Sequence, residues 1–305
     1  MKVLITGSNG LVGSSVSRIL EDSSKVTELL PTNRNNLDLF DYRAVLNFIE
    51  KNSPEIIVNC AAKVGGIYAN NTQRTEFILN NLKINMNLLE ASINFPNIRI
   101  INLGSSCIYP LNAENPIKES YVMTGPLEPT NSPYAMAKLT SIEIGRSISS
   151  QYGHKIINLM PTNLYGPKDN FSSDDSHVIP GLIARMHKEK INNSSTFKIW
   201  GTGKPLREFM YVDDLALAIE FLLDKDVEKD LINVGTGNEI QIADLAEKLK
   251  KVIDFKGELI FDSSKPDGNP RKLINSDYLK SLGWKPKTDL DSGLEKTYSW
   301  YLNNL

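Results

Sequence analysis

A tyrosine and a lysine lie four residues apart in the segment Tyr134-Ala-Met-Ala-Lys138. On a helix this spacing puts both side chains on one face. The ammonium can then lower the pKa of the phenol, which can pass a proton to a carbonyl oxygen while hydride reaches the carbon. Ser132-Pro133 is typical of an N-cap followed by proline in the first turn. The pattern predicts acid–base catalysis on a ketone or an alcohol.

A second polar segment, Ser105-Ser106-Cys107, directly follows the predicted strand Arg99–Leu103. If extended geometry continues, Ser105 and Cys107 point to one side and Ser106 points to the other. We therefore predict that the Ser105 hydroxyl binds the substrate carbonyl oxygen and that Cys107 lies in the same pocket. Ser106 becomes the structural residue of the three.

Far upstream, the turn Gly7-Ser-Asn-Gly10-Leu-Val-Gly13 follows the first predicted strand and opens a helix. Glycines let the backbone approach a pyrophosphate, whose charge is favoured at a helix N-terminus. The segment after the second strand contains Arg34 and lacks the acid that usually binds the ribose of NAD. It favours NADP, with Arg34 on the 2′-phosphate. Asp38 is either an adenine contact or a helix cap.

Composition narrows the class of partner. The chain of 305 residues has 34 basic and 36 acidic residues and a formal net charge of −2, so neither nucleic acid nor an anionic membrane is expected as a partner. Its two cysteines cannot form a disulfide framework, and Cys60 ends an apolar run typical of a core. No metal site is predicted. No apolar stretch reaches the length of a membrane span and the N-terminus begins with a strand pattern, so we expect a cytoplasmic protein.

Short apolar runs alternate with longer helical patterns in the first half of the chain. This alternation predicts an α/β fold with a doubly wound parallel sheet and ligands at the carboxyl ends of its strands. The predicted strands are Val3–Ile5, Lys25–Leu30, Ile56–Asn59, Arg99–Leu103 and Ile156–Met160, and the later helices are Tyr42–Lys51, Thr75–Asn94 and Pro133–Tyr152.

After Pro161 the periodicity is interrupted by prolines and glycines, and the loops lengthen. We predict a dinucleotide-binding domain over residues 1–162 and a smaller substrate domain over residues 163–305. Segments around 208–235 are expected to cross back to the first sheet.

Several longer segments resemble the GDP-L-fucose synthase family of the extended short-chain dehydrogenase/reductases, and the similarity covers nearly the whole chain. The tyrosine, lysine and serine are common to the superfamily, whereas the S-S-C-I-Y-P and S-H-V-I-P segments are more restrictive. The segments are Ala61-Ala-Lys-Val-Gly-Gly-Ile67, Gly104-Ser-Ser-Cys-Ile-Tyr-Pro110, Pro129-Thr-Asn-Ser-Pro-Tyr-Ala-Met-Ala-Lys138, Met160-Pro-Thr-Asn-Leu-Tyr-Gly-Pro167, Ser176-His-Val-Ile-Pro180, Trp200-Gly-Thr-Gly203 and Arg207-Glu-Phe-Met-Tyr-Val-Asp-Asp214.

The resemblance implies NADPH-dependent reduction of the C4 ketone of a GDP-4-keto-6-deoxy sugar by Ser105, Tyr134 and Lys138. It also implies proton exchange at C3 and C5 by Cys107 and His177. The cofactor-binding set is Gly7, Asn9, Gly10, Leu11, Val12, Gly13, Arg34, Asp38, Ala61, Ala62, Leu103, Tyr134, Lys138, Pro161, Asn163, Leu164 and His177. The substrate-binding set is Ser106, Asn163, Val178, Arg185, Trp200, Arg207 and Asp267.

Three alternatives stay open at this point. The enzyme could reduce C4 of a GDP-4-keto-6-deoxy-heptose with little or no epimerisation. It could be a nucleotide-sugar 4-epimerase or dehydratase that recycles NAD, or a binding protein that senses the cofactor. A homodimer through a four-helix interface is also expected, because two predicted helices carry additional apolar positions. These positions are Phe77, Ile84, Leu88, Ile142, Ile144 and Ile148.

Overall fold

The computed structural model describes residues 1–172, 175–264 and 267–305. Within these residues the strands are β1 (Lys2–Thr6), β2 (Glu28–Pro31), β3 (Ile56–Asn59), β4 (Arg99–Leu103), β5 (Ile156–Pro161), β6 (Asn163–Tyr165), β7 (Thr196–Trp200), β8 (Leu206–Tyr211), β9 (Leu231–Val234), β10 (Glu239–Gln241), β11 (Glu258–Asp262) and β12 (Arg271–Lys272). The helices are α1 (Leu11–Glu21), α2 (Tyr42–Asn52), α3 (Ile67–Thr72), α4 (Arg74–Ser92), α5 (Ser132–Tyr152), α6 (Val178–Ile191), α7 (Val212–Leu222), α8 (Ile242–Ile253), α9 (Asp277–Ser281) and α10 (Leu290–Leu302).

The central sheet has six strands in the order β2-β1-β3-β4-β5-β9, and every neighbouring pair is parallel. Its middle strands are almost fully buried, because helices cover both faces. Side chains of α7 complete the core on one face, and side chains of α2 and α4 complete it on the other. The predicted doubly wound parallel sheet is confirmed.

A row of buried polar side chains crosses the middle of this sheet. Asn59, Asn102 and Asn158 are in register on β3, β4 and β5. The amide of Asn59 donates to Oδ1 of Asn102 at 2.9 Å, and the amide of Asn102 donates to Oδ1 of Asn158 at 3.1 Å. Asn85 on α4 and Ser141 on α5 bond to the same row. The row fixes both helices against the carboxyl half of the strands.

The C-terminal part of the chain builds two smaller sheets. In one, β8 pairs with β10, β12 and β6, and in the other β7 pairs with β11. These strands enclose a second, more aromatic core together with α6, α8 and α10. The strand β9 leaves this region and pairs with β5 in the central sheet. The division at residues 162 and 163 stays a prediction.

One local expectation is wrong in detail. The helix α5 begins at Ser132 rather than after it, because the Ser132 hydroxyl bonds to Arg74 and to the Pro129 carbonyl and is not free to cap the helix. Of the apolar positions from which a subunit interface was predicted, only Ile144 is half-buried and the other five are buried inside the chain, so the interface stays a prediction. Among the described residues, no helix combines the length and the apolar character that crossing a membrane requires.

Candidate active site

One cavity of about 1260 Å³ lies where the carboxyl ends of the central strands face the C-terminal sheets. This volume exceeds the range of about 300–1,000 Å³ that is common for one small ligand, so two ligands can share the cavity. Every residue predicted to bind cofactor or substrate or to act in catalysis lines it, from Gly7 at one end to Asp267 at the other. The structure thus brings together residues spread over most of the chain.

The glycine turn fits a dinucleotide pyrophosphate. Gly7 has a φ of +67°, which a side chain would strain, and a Cβ at Gly13 would lie only 2.1 Å from the Gly7 carbonyl oxygen. Gly10 directly precedes α1. Ala61, at the end of β3, packs against Gly7. The backbone is therefore free of side chains where a phosphate would meet the N-terminus of α1.

The loop after β2 forms the far wall of this end of the cavity. Arg34 is exposed at the cavity edge, as a side chain that reaches a ribose phosphate would be. Asp38 accepts a hydrogen bond from the Phe40 N–H at 2.9 Å, whereas Asp41 caps α2 through the Arg43 and Ala44 N–H groups. The reading of Asp38 as a helix cap is therefore wrong. Its exposed carboxylate lies on the cavity wall.

Tyr134 and Lys138 share the cavity-facing side of α5, but their electrostatics differ from the expectation. Burial lowers the pKa of Lys138 to about 8, against the opposing effect of Cys60 and Cys107. The Lys138 Nζ donates to the Leu103 carbonyl at 2.6 Å and lies 5.8 Å from the centroid of the Tyr134 ring. Burial and the neighbouring Cys107 raise the pKa of Tyr134, and a hydrogen bond with Ser105 opposes this shift. The phenol is thus held as a proton donor, not as a partly ionised group.

The Ser105 Oγ donates to the Cys107 Sγ at 3.0 Å, so both side chains meet in the cavity. The sequence predicted that the two side chains share a pocket on the assumption that the backbone stays extended. That assumption is wrong after Ser105. Residues Ser106–Ile108 form a 3₁₀ turn, and Ser105 accepts the Cys107 N–H at its start. Ser106 is 4% exposed but still contributes to the cavity wall.

His177 is the last residue before α6. Its side chain is 42% exposed and lines the cavity, while its Nδ1 is buried and lies 3.6 Å from an oxygen of Asp169. Burial alone would lower the pKa of His177, but the bond to Asp169 and its charge outweigh burial and raise it. The imidazolium form is therefore favoured at this position.

The opposite end of the cavity is positively charged. The Arg185 guanidinium stacks 5.0 Å above the Trp200 ring, which is 55% exposed beside it. Arg207 shares this end with Asp267, and Asp267 accepts hydrogen bonds from the N–H and the hydroxyl of Thr202 at 2.6 and 2.7 Å. Two arginines and an exposed indole are suited to a nucleotide diphosphate.

Two further groups of this site were missed in the sequence. Asn131 lies three residues before Tyr134, lines the cavity and has a buried Oδ1 that no described residue hydrogen-bonds. Asp169 lines the cavity beside His177. Asn131 stands in the segment Pro129–Lys138 that carries the family resemblance, whereas Asp169 lies between two such segments, so the resemblance could have indicated only Asn131. Polar side chains in loops ordinarily cap turns, and sequence alone does not distinguish the two roles.

A glycine cradle on a parallel sheet, beside a buried lysine and a cavity-lining tyrosine and serine, defines a dinucleotide-dependent enzyme of the short-chain dehydrogenase/reductase type. The family described as "NAD dependent epimerase/dehydratase family" matches residues 3–235. The chain belongs to this family and, within it, to the GDP-L-fucose synthases of the extended short-chain dehydrogenase/reductases.

Similarity to curated and solved proteins extends over the full chain. Probable GDP-L-fucose synthase 1 from Oryza sativa subsp. japonica is 47% identical over 305 residues, which cover 100% of this chain and 93% of that protein. A GDP-L-fucose synthetase from Naegleria fowleri bound to NADP superimposes with a TM-score of 0.91 at 29% identity, covering 99% of this chain and 92% of that one. A GDP-6-OMe-4-keto-L-xylo-heptose reductase from C. jejuni gives 0.90 at 32% identity, with coverage of 100% and 98%.

Proposed function

We propose that this protein reduces the C4 ketone of a GDP-4-keto-6-deoxy sugar with NADPH and epimerises C3 and C5 of the same sugar. The observation that carries the proposal is one cavity that joins the glycine cradle, the Tyr134 and Ser105 pair and the Cys107 and His177 pair. Relatives named as GDP-L-fucose synthases, and a solved relative with bound NADP, support the substrate class and the cofactor.

Cofactor binding is assigned to residues at the carboxyl ends of the first strands. The backbone around Gly7, Gly10 and Gly13 holds the pyrophosphate, and Arg34 reaches the ribose phosphate that distinguishes NADPH. When bound, NADPH supplies the hydride for C4. Lys138 and Tyr134 line the part of the cavity that is assigned to hydride transfer.

Reduction of C4 needs a proton on the carbonyl oxygen. The phenol of Tyr134 is protonated, because its pKa is raised, and it can donate that proton to the developing alkoxide. Ser105 bonds to the same oxygen, and the buried ammonium of Lys138 stabilises the negative charge left on the phenol. Tyr134 and Ser105 therefore act on one oxygen atom of the sugar, and Lys138 acts on the phenol.

Epimerisation uses the same ketone. A C4 carbonyl acidifies the hydrogens on C3 and C5, because the enolate places its charge on the oxygen that Tyr134 and Ser105 bind. Cys107 as thiolate removes a proton from one face of the sugar while the Ser105 hydroxyl donates to the enolate oxygen. His177 returns a proton to the other face as an imidazolium.

The GDP moiety is assigned to the positive end of the cavity. Arg185 and Arg207 pair with the pyrophosphate, and Trp200 and Val178 form an exposed apolar wall for the nucleoside. This local cluster explains how a chain with a formal net charge of −2 can hold an anionic substrate.

The decisive assay supplies GDP-4-keto-6-deoxymannose with NADPH or NADH and follows both absorbance at the nicotinamide band and the stereochemistry of the product. We expect oxidation of NADPH and a product inverted at C3 and C5. Absence of cofactor oxidation with this and related 4-keto sugars would refute the proposal.

A second function is favoured by one observation, the 0.90 TM-score and 32% identity to a heptose reductase. In this alternative the enzyme reduces C4 of a GDP-4-keto-heptose and Cys107 and His177 only bind the sugar. Running both substrates in heavy water separates the two functions. Deuterium at C3 or C5 of the product supports epimerisation, and its absence supports simple reduction.

A homodimer is also proposed, through the same two helices that were expected from the sequence but through other residues of them. Leu79 and Met86 on α4 and Met136 on α5 are 45–46% exposed, although they lie on two helices that pack side by side. A shared four-helix interface would cover them. Light scattering should give twice the chain mass, and a charged residue at Met86 should shift the protein toward monomer.

A further inference from the structure

A buried carboxylate lies directly behind the candidate proton donor. The side chain of Asp169 is 4% exposed, and its Oδ1 lies 3.6 Å from Nδ1 of His177. Nδ1 of His177 and Oδ2 of Asp169 are both buried and have no hydrogen-bond partner among the described residues. A carboxylate is rarely buried unless a cation or several donors compensate it. The imidazole of His177 is the group positioned to do so.

The local backbone geometry places this carboxylate next to the imidazole. Gly166 has a φ of +152° and Lys168 has a φ of +65°, so the chain turns sharply after β6. The Asp169 N–H donates to the Gly166 carbonyl at 3.3 Å, and the Asn170 N–H donates to the Asp169 Oδ1 at 2.8 Å. These bonds fix the aspartate from its backbone side and leave Oδ2 directed away from them.

We propose that Asp169 is a positioning residue for His177: it accepts the Nδ1 proton, so that Nε2 faces the sugar as the proton-transferring atom in C3 and C5 epimerisation. In the neutral ring, Nδ1–H bonded to a carboxylate leaves Nε2 as the acceptor, and in the imidazolium Nε2 carries the proton to be given. This inference rests on the proposed epimerase function and assigns a role to a residue outside the predicted catalytic set.

A purely structural role for Asp169 is a poorer account of the contacts. A carboxylate that only stabilised the turn would accept backbone N–H groups with both oxygens, as Asp214 does with the N–H groups of Lys287 and Thr288. In Asp169, Oδ1 accepts the N–H group of Asn170 and is also the oxygen that lies 3.6 Å from Nδ1 of His177, and Oδ2 has no hydrogen-bond partner among the described residues. The carboxylate therefore keeps accepting capacity beside the imidazole.

The first test compares wild type with Asp169→Asn, Asp169→Glu and the exposed control Asp226→Asn. Deuterium uptake by the 4-keto sugar is followed in heavy water with NADP⁺ in place of NADPH, which isolates proton exchange. Oxidation of GDP-L-fucose by NADP⁺, the reverse reaction, isolates hydride chemistry at C4. Asp169→Asn should slow deuterium uptake by about 10- to 100-fold, a part of the contribution of a general acid, and change the C4 oxidation less than about threefold.

Asp169→Glu keeps the carboxylate and should recover part of the exchange rate, whereas Asp226→Asn should match wild type in both assays. If Asp169→Asn does not fold, Asp169→Glu is compared with wild type in the same two assays, because the longer carboxylate displaces the ring without removing its partner. Equal loss of exchange and C4 oxidation in either folded variant would indicate a structural role and overturn the proposal.

The second test does not depend on turnover. The chain has three histidines, so ¹⁵N imidazole spectra can be assigned with a His177→Gln variant. At a pH above the raised pKa of His177, wild type should show the neutral ring with its proton on Nδ1, and Asp169→Asn should shift the proton toward Nε2. An unchanged tautomer would overturn the proposal. Should wild type itself take up no deuterium, the epimerase function fails, while the tautomer still decides whether Asp169 orients His177.

Discussion

At the scale of single residues, the reactive groups are tuned mainly by burial. Lys138 is 2% exposed, and its ammonium is held by one carbonyl, that of Leu103. Burial weakens its hold on a proton and strengthens the hold of Tyr134 on its own. The two pKa values, which are close together in free side chains, therefore move apart, and the phenol keeps the proton that it donates during reduction.

Replacing Tyr134 by phenylalanine should remove the proton donor and leave the packing of the ring against Phe77 intact. We expect the rate of C4 reduction to fall by about 10²–10⁴-fold, the usual contribution of a general acid. Stopped-flow oxidation of NADPH measures it. Tyr152→Phe, at the exposed end of the same helix, should leave the rate unchanged, and a similar loss in both variants would contradict the assigned role.

The lowered pKa of Lys138 predicts a pH profile with a defined sign. The folded enzyme loses this charge as pH rises through about 8, so kcat for reduction should fall there. Stability should respond in the opposite sense. Between about pH 8 and pH 10.5 the unfolded lysine binds a proton that the folded lysine does not, so the free energy of unfolding rises with pH. Lys138→Arg stays charged, so any activity it retains should not fall near pH 8. A retained fall in Lys138→Arg would assign the transition to another group.

At the scale of elements, strands buried on both faces were predictable and turns were not. The bounds of β3 and β4 match the predicted strands Ile56–Asn59 and Arg99–Leu103. Both are short, mainly apolar runs, which is the pattern typical of strands buried on both faces. The 3₁₀ turn at Ser106–Ile108 was missed, since its geometry is set by the hydrogen bond at Ser105 and by packing against α5. No periodicity indicates such a turn.

The row of buried asparagines could likewise not be predicted from the sequence, because its three asparagines lie in three different strands. It gives a stability prediction. Asn102→Ala leaves the Asn59 amide and the Asn158 carbonyl without their shared partner in the sheet interior. The free energy of unfolding should fall by about 2–4 kcal/mol, since buried polar groups left unpaired are costly.

Urea denaturation followed by circular dichroism measures this loss. Asn47→Ala, on the exposed face of α2, is the matched control and should change the stability by less than about 0.5 kcal/mol. A loss at Asn102 no larger than that at Asn47 would mean that the polar row does not stabilise the sheet.

At the scale of the whole molecule, the site lies between two cores that meet across the cavity. The end of β4 supplies Ser105, α5 supplies Tyr134 and Lys138, and the region after β5 supplies His177 and the two arginines. Sequence motifs predicted the members of this set, because each segment resembles a known family. They did not predict the Asp169 contact or the raised pKa of Tyr134, which depend on burial and distance in the folded chain.

This arrangement predicts that the two ligands stabilise the protein through separate contacts. Ligand at about 100 times its Kd should add about 2.7 kcal/mol to the free energy of unfolding, so NADPH and GDP should each raise the Tm. Arg207→Ala removes a charge-assisted partner of the pyrophosphate and should raise the Kd for GDP by about 10- to 100-fold, with the shift from NADPH unchanged. Differential scanning fluorimetry with each ligand measures both effects.

Arg271→Ala is the matched control, on the same strand pair but outside the cavity lining. It should lower the Tm slightly through loss of its ion pair with Glu239 and keep both ligand shifts. Loss of the NADPH shift in Arg207→Ala would show that the cavity is one coupled site instead of two adjoining ones.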